Sequence, residues 1–298
     1  MLAEKLRAGD TIGIVSPSHV ATVDGYAKII REIKSKGFQV KTGANLYKDT
    51  YGYLASEAER AEDFNGMVLD KDVKMVFFGG GNGGAELLPY IDYEAVRQNP
   101  KIYLSYSDGT SVLNAIHSKT GLITYYGQSP GVFEDLSHYD YEQFASHFLG
   151  EPPEDFIGSS EWYPLNGGIC EGTLIGGYTW NFALMLNSDY LSVCDHKYVL
   201  FLEDHESFSN IAAVSALISH IEQSRFINNV SGLLFGHYSE TVYPDLMGRL
   251  KRFGEKNNVP VAYCDDFGHG KNHAILPIGC NVVMDANMKT MRFIFPGA

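Results

Sequence analysis

Short runs of consecutive apolar residues alternate along the chain with stretches whose apolar positions recur every three or four residues. This alternation predicts strands and helices in turn. Residues 11–15 read as a buried central strand closed by Ser16, Pro17 and Ser18. Asp24 is placed to cap a helix whose apolar face is Tyr26, Ile29, Ile30 and Ile33, and Lys36-Gly37 ends it ahead of a strand at 38–40. Ser56 and Glu59 have capping-box spacing before the helical face of Ala61, Phe64, Met67 and Val68. Strands at 73–78, 102–106 and 121–126 follow, so the first half is expected to form a doubly wound, mostly parallel α/β sheet.

The regular pattern lapses between 128 and 166, where Pro130, Gly131, Pro152, Pro153, Gly158 and Pro164 punctuate the chain around one helix at 141–148. Beyond it, strands are expected at 168–175, 198–202, 230–235, 259–263, 281–284 and 291–295. A helix at 210–222 turns Ile211, Val214, Ile218 and Ile221 inward and His220 outward. These spacings predict an N-terminal α/β domain over 1–135, a linker over 136–166 and a C-terminal mixed α/β domain over 167–298.

The most informative stretch is Leu104-Ser105-Tyr106-Ser107-Asp108-Gly109-Thr110, where a buried strand passes into a helix within a few residues. A serine on so sharp a turn lifts its hydroxyl above the sheet, and the turn needs small residues two before and two after it, here Ser105 and Gly109. The amide of Asp108 would face the same cavity as the hydroxyl, giving half of an oxyanion hole. The alternative is that Ser107 only caps the helix that follows.

A serine nucleophile needs a base and an acid to orient that base. Of the ten histidines, position selects His237, His269 and His273, with His269 between Gly268 and Gly270 just past a strand. The acid is expected from Glu203-Asp204-His205-Glu206, where Glu203 ends a strand and is the most fixed. Asp265, Asp266, His269 and His273 form a rival metal-binding reading, although no H-E-x-x-H or paired Cys/His spacing accompanies them. The glycine-dense segment 79–84 lacks the Lys-Ser/Thr of a P-loop and matches G-x-G-x-x-G only loosely, which leaves a nucleotide cradle, a plain turn, or bare backbone approaching an oxyanion.

Composition narrows the function classes. With 45% hydrophobic and 20% charged residues among 298, the chain is globular, and no apolar run reaches the length of a membrane span. A formal charge of −13 without a local basic cluster opposes a nucleic-acid partner. Cys170, Cys194, Cys264 and Cys280 are widely spaced and read as buried free thiols. The first residues lack the apolar core of a signal peptide, so a cytoplasmic protein is expected. A homodimer is also expected.

The sequence resembles the LD-carboxypeptidase family, which includes the microcin C immunity proteins. The resemblance rests on an ordered series of segments over nearly the whole chain. They are Gly13-Ile14-Val15-Ser16-Pro17-Ser18, Gly80-Gly81 with Glu86-Leu87-Leu88-Pro89-Tyr90, Tyr106-Ser107-Asp108, Gly172-Thr173-Leu174-Ile175-Gly176-Gly177, Leu202-Glu203-Asp204, and Gly268-His269 with Leu276-Pro277-Ile278-Gly279. It implies Ser107 as nucleophile, Glu203 and His269 as its partners, the Gly81 and Asp108 amides as oxyanion hole, and a site between two domains. It implies no metal or organic cofactor. The family's substrates divide between the L-to-D bond of cytoplasmic murein tetrapeptides and an amide on a peptidyl or aminoacyl nucleotide. A non-catalytic binding protein that keeps the cleft is the reading from another class. The chain departs from the family pattern at Ser105 and Gly109, where glycine and a branched apolar residue are usual, at Asn82, and at Tyr178-Thr179, where Asn-Leu is usual.

Overall fold

The computed structural model describes residues 1–18, 22–127, 138–192 and 196–297. Pro130, Gly131 and Cys194 lie outside that set. Strands β1 (Thr11–Ile14), β2 (Gln39–Thr42), β3 (Val73–Phe77), β4 (Ile102–Ser105) and β5 (Thr124–Tyr126) run parallel in the order β5-β4-β3-β1-β2. β4 and β5 are buried throughout, which is why they read as continuous apolar runs and not as alternating ones. The strand order reverses direction between β1 and β3, and in open α/β sheets the crevice at the carboxyl ends beside such a reversal is where ligands bind. Loops 15–18 and 78–83 meet there, with the Asn82 amide donating to the Ser18 carbonyl at 3.0 Å.

The second sheet is built on four parallel strands, β7 (Ile169–Tyr178), β8 (Tyr198–Glu203), β9 (Val230–His237) and β10 (Val261–Gly268), with β6 (Tyr163–Asn166) antiparallel at the β10 edge. The antiparallel pair β12 (Asn281–Asp285) and β13 (Thr290–Ile294) extends it past β7. Between β10 and β12 in sequence, β11 (Leu276–Ile278) crosses back and adds antiparallel to β5, so the first sheet takes an edge strand from near the C-terminus. The helix His138–Phe148 packs on the first sheet, its Phe148 ring 4.9 Å from that of Tyr125.

The helix Gly109–Thr120 lies between the two sheets, and its side chains are buried almost all round. Asn114 ties it to the second sheet by donating to the Gly176 carbonyl at 2.8 Å, and the Tyr178 amide donates to Thr110 Oγ1 at 2.9 Å. The capping box at Ser56 and Glu59 is present, as the spacing predicts. At the first helix, however, Thr22 is the cap and not Asp24. The Thr22 hydroxyl accepts from the Gly25 amide at 3.2 Å, while Asp24 sits in the first turn of Val23–Ser35. Cys170, Cys264 and Cys280 are buried and free.

Candidate active site

β4 delivers the chain to Ser107, whose φ of +53° is in the left-handed region that non-glycine residues avoid. Its neighbours enforce the turn. The Thr110 amide donates to the Ser107 carbonyl at 3.0 Å, and the Gly109 amide to that of Tyr106 at 2.9 Å. The glycine loop packs directly against the serine, since a Cβ on Gly80 would lie 2.7 Å from Ser107 Cβ. Bare backbone is therefore a steric requirement at this position. Ser107 does not cap the helix: the capping position is Asp108, and even its side chain makes no capping bond. Asp108 instead accepts from the Gly84 amide and from Asn181 Nδ2, both at 2.6 Å, which joins the glycine loop, the serine turn and the second sheet's first helix. Burial pushes the Asp108 carboxyl up, against the lowering effect of these donors.

Glu203 is the last residue of β8 and is completely buried. Its backbone carbonyl accepts from Thr179 Oγ1 at 2.8 Å, and its Oε2 lies 2.8 Å from His269 Nδ1. His269 follows the end of β10, which runs to Gly268 after its pairing with β9 lapses beyond Tyr263; the expected end at 263 is five residues short. With Nδ1 held by the carboxylate, Nε2 is the nitrogen left for chemistry. The imidazole is boxed by the rings of Phe208, Tyr178 and Tyr106, at 4.9, 5.4 and 5.6 Å. Burial alone would lower its pKa, but the charge and hydrogen bond of Glu203, with Asp204 behind, outweigh burial and raise it above 6.5.

One residue that the sequence pattern does not single out connects the two halves. Tyr126, at the end of β5 and fully buried, donates from its phenol to Glu203 Oε1 at 2.5 Å and accepts from the Ser107 amide at 3.0 Å. Its only sequence signal is a place at the carboxyl end of a strand. Asp204, beside Glu203, is also buried: Oδ1 accepts from the His205 amide at 2.8 Å, and burial, with the Glu203 charge adding to it, pushes its carboxyl up to about 7.

The remaining candidates separate. His237 Nδ1 pairs with Asp265 at 3.0 Å, and its ring stacks on His205; His273 Nδ1 pairs with Asp140 at 2.8 Å. Asp266 accepts from the amides of Ser159 and Ser160. The four residues of the metal-binding reading thus face four different partners, and the described residues include no group of three or more histidine, cysteine or acidic side chains placed to hold a metal ion. Trp162 is buried edge-to-face against Phe156 at 5.5 Å, while Trp180 is half exposed.

The chain is similar to known proteins over nearly its whole length. The chain is 29% identical to the microcin C7 self-immunity protein MccF of Escherichia coli, over 98% of this chain and 95% of that one. It is 27% identical to a probable murein peptide carboxypeptidase of Bacillus subtilis, over 96% of this chain and 92% of that one. The structure of wild-type MccF in its apo state superposes with a TM-score of 0.87 at 26% identity, covering 99% of this chain and 98% of that one. The family model for the LD-carboxypeptidase N-terminal domain matches residues 12–127, and that for the C-terminal domain matches residues 171–284. These two matches span most of the sequence, and the chain belongs to the LD-carboxypeptidase family of serine peptidases.

Proposed function

We propose that this protein hydrolyses a small peptide amide with Ser107 as nucleophile, His269 as general base and Glu203 as the acid that orients it. The observation that carries this reading is the 2.8 Å contact of the buried Glu203 with His269 Nδ1, taken together with a serine held at a strained strand-to-helix turn. His269 takes the Ser107 proton through Nε2, and the serine oxygen attacks the amide carbonyl. The Gly81 and Asp108 amides receive the oxyanion, a role supported by the contact of Gly80 with Ser107 and by the left-handed backbone of Gly81. His269 then protonates the leaving amine, and water releases the acyl group. Residues 1–135 would carry the nucleophile and 167–298 the acid and base, joined through 136–166.

The preferred substrate is the L-to-D amide at the end of a cytoplasmic murein tetrapeptide, which would make the protein a murein-recycling enzyme acting as a cytoplasmic homodimer. The murein peptide relative supports this choice. A second reading, hydrolysis of an aminoacyl nucleotide, is supported by the similarity to MccF, which has been captured with aspartyl sulfamoyl adenosine, and by the exposed Trp180 indole. Incubation with an LD-tetrapeptide and with a peptidyl adenylate analogue, followed by mass spectrometry, tests both. Release of terminal D-alanine is expected. Cleavage of the nucleotide conjugate alone reverses the order, and a serine-reactive probe that fails to label Ser107 overturns the hydrolase reading.

A further inference from the structure

We infer that Tyr126 is a positioning residue, which aligns the serine turn with the Glu203–His269 pair by bonding to both at once. The inference rests on the Ser107–His269–Glu203 triad and goes beyond it. Tyr126 Oη accepts from the Ser107 amide at 3.0 Å and donates to Glu203 Oε1 at 2.5 Å. The phenol gives its one proton to the carboxylate and takes the amide as its donor. The groups it joins come from different sheets. Ser107 follows β4 of the first, and Glu203 ends β8 of the second.

The backbone fixes the phenol for this task. β5 is in parallel register with β4, Ser105 opposite Tyr126, and the Gly127 amide donates to the Ser105 carbonyl at 2.8 Å. Tyr126 therefore stands beside the strand end from which the serine turn springs. Its ring packs 5.5 Å from that of Phe201, two residues before Glu203 on β8. Burial and the adjacent Glu203 carboxylate drive the phenol pKa far up, so it stays a donor through any working pH. Each end of the bond matters. The Ser107 amide sits on strained backbone, and an unmet, partly buried donor there would favour relaxation of the turn. Glu203 Oε1 is in a dry site, and the Tyr126 proton spreads the negative charge that Oε2 offers to His269.

Tyr126→Phe removes one oxygen and leaves the ring in place. We expect kcat to fall about 10- to 100-fold with KM changed less than twofold, since the phenol touches no substrate. The acid limb of the kcat/KM profile should move to higher pH. Without its donor, the carboxylate is a poorer anion, and the Glu203–His269 pair keeps its shared proton longer as pH rises. If Tyr126→Phe does not fold, site-specific replacement by difluorotyrosine keeps both bonds and strengthens the donor, and the limb should then move to lower pH. An unmoved limb with kcat within twofold of the parent, or an unmoved limb in the fluorinated protein, overturns the inference. Ser107→Ala serves as the separate control: if it still turns over, the triad itself has failed, whereas a dead Ser107→Ala beside an unaffected Tyr126→Phe removes only the positioning role of Tyr126.

Discussion

Ser105 and Gly109 share one space beside the serine turn: a Cβ on Gly109 would stand 2.0 Å from Ser105 Oγ and 2.6 Å from its Cβ. The Ser105 hydroxyl does not swing aside readily, because it donates to the Phe78 carbonyl at 2.7 Å and is fully buried. The two departures from the family pattern at these positions are thus a single exchange of bulk, small for large at 109 and large for small at 105. Gly109→Ala alone should cost about 1–3 kcal/mol through overpacking. Paired with Ser105→Gly, the same change should cost less than the sum of the two, with a coupling of about 1 kcal/mol or more. Denaturant unfolding of the four proteins measures it, and additive effects would mean that the contact does not join the two sites.

Ser107→Ala should reduce kcat by at least about 10³-fold, because removing the nucleophile of a triad leaves only binding and oxyanion stabilisation. The melting temperature should stay within a degree or two, since the side chain makes no helix-capping bond. Ser107→Gly gives the sharper test of strain. At φ +53° a glycine sheds the Cβ penalty, worth about 1 kcal/mol, so this inactive variant should melt higher than Ser107→Ala.

The pH profile follows from the raised pKa of His269. The histidine acts as base only when neutral, so kcat/KM should climb with pH along a limb centred above 6.5. Glu203→Gln takes away the charge that raises it. The limb should then move to lower pH, while kcat falls by about 10²- to 10⁴-fold as the imidazole loses its orienting acid. A limb that stays in place in Glu203→Gln would mean that another group titrates.

Much of this is legible in the sequence because parallel strands buried on both faces leave continuous apolar runs, and small residues around Ser107 leave a steric signature. The site's second half is legible only as strand ends. Three histidines meet that description, and what separates His269 from His237 and His273 is which carboxylate each faces: Glu203, Asp265 and Asp140 respectively. Such pairings depend on strand order, which local pattern does not carry. Tyr126 escapes sequence reasoning for the same reason, since its two bonds span 19 and 77 residues. The helix Pro244–Asn257 escapes it although Leu246, Leu250 and Phe253 have helical spacing, because charged residues crowd its other face, and Arg249 is buried with a 2.7 Å pairing to Glu222 and bonds to the Ser215 and Ser219 hydroxyls. β11 is three residues long, and nothing within Leu276-Pro277-Ile278 announces that it joins the first sheet.

Asp204 contributes a pH-dependent share of the stability. Its Oδ2 is buried without a hydrogen-bond partner among the described residues, and its carboxyl stands near 7 in the fold against an ordinary value of 3.8. Between those two pH values the folded protein holds a proton on Asp204 that the unfolded chain has released, so the stability contributed by Asp204 falls as pH rises from about 4 to about 7 and is level above, while His147, whose pKa burial lowers to about 4, contributes in the opposite direction. His269 adds to the Asp204 trend at its upper end, because a raised histidine pKa likewise gives stability that is present at low pH and lost as pH climbs through the folded value. Replacing Asp204 by Asn isolates the carboxylate's share, since the amide imitates the protonated acid and cannot ionise. The Asp204→Asn protein should therefore melt several degrees above the parent at pH 8, and the difference should close near pH 4. Melting curves across that range decide it: a difference that does not change with pH would mean that Asp204 ionises in the fold as readily as in the unfolded chain.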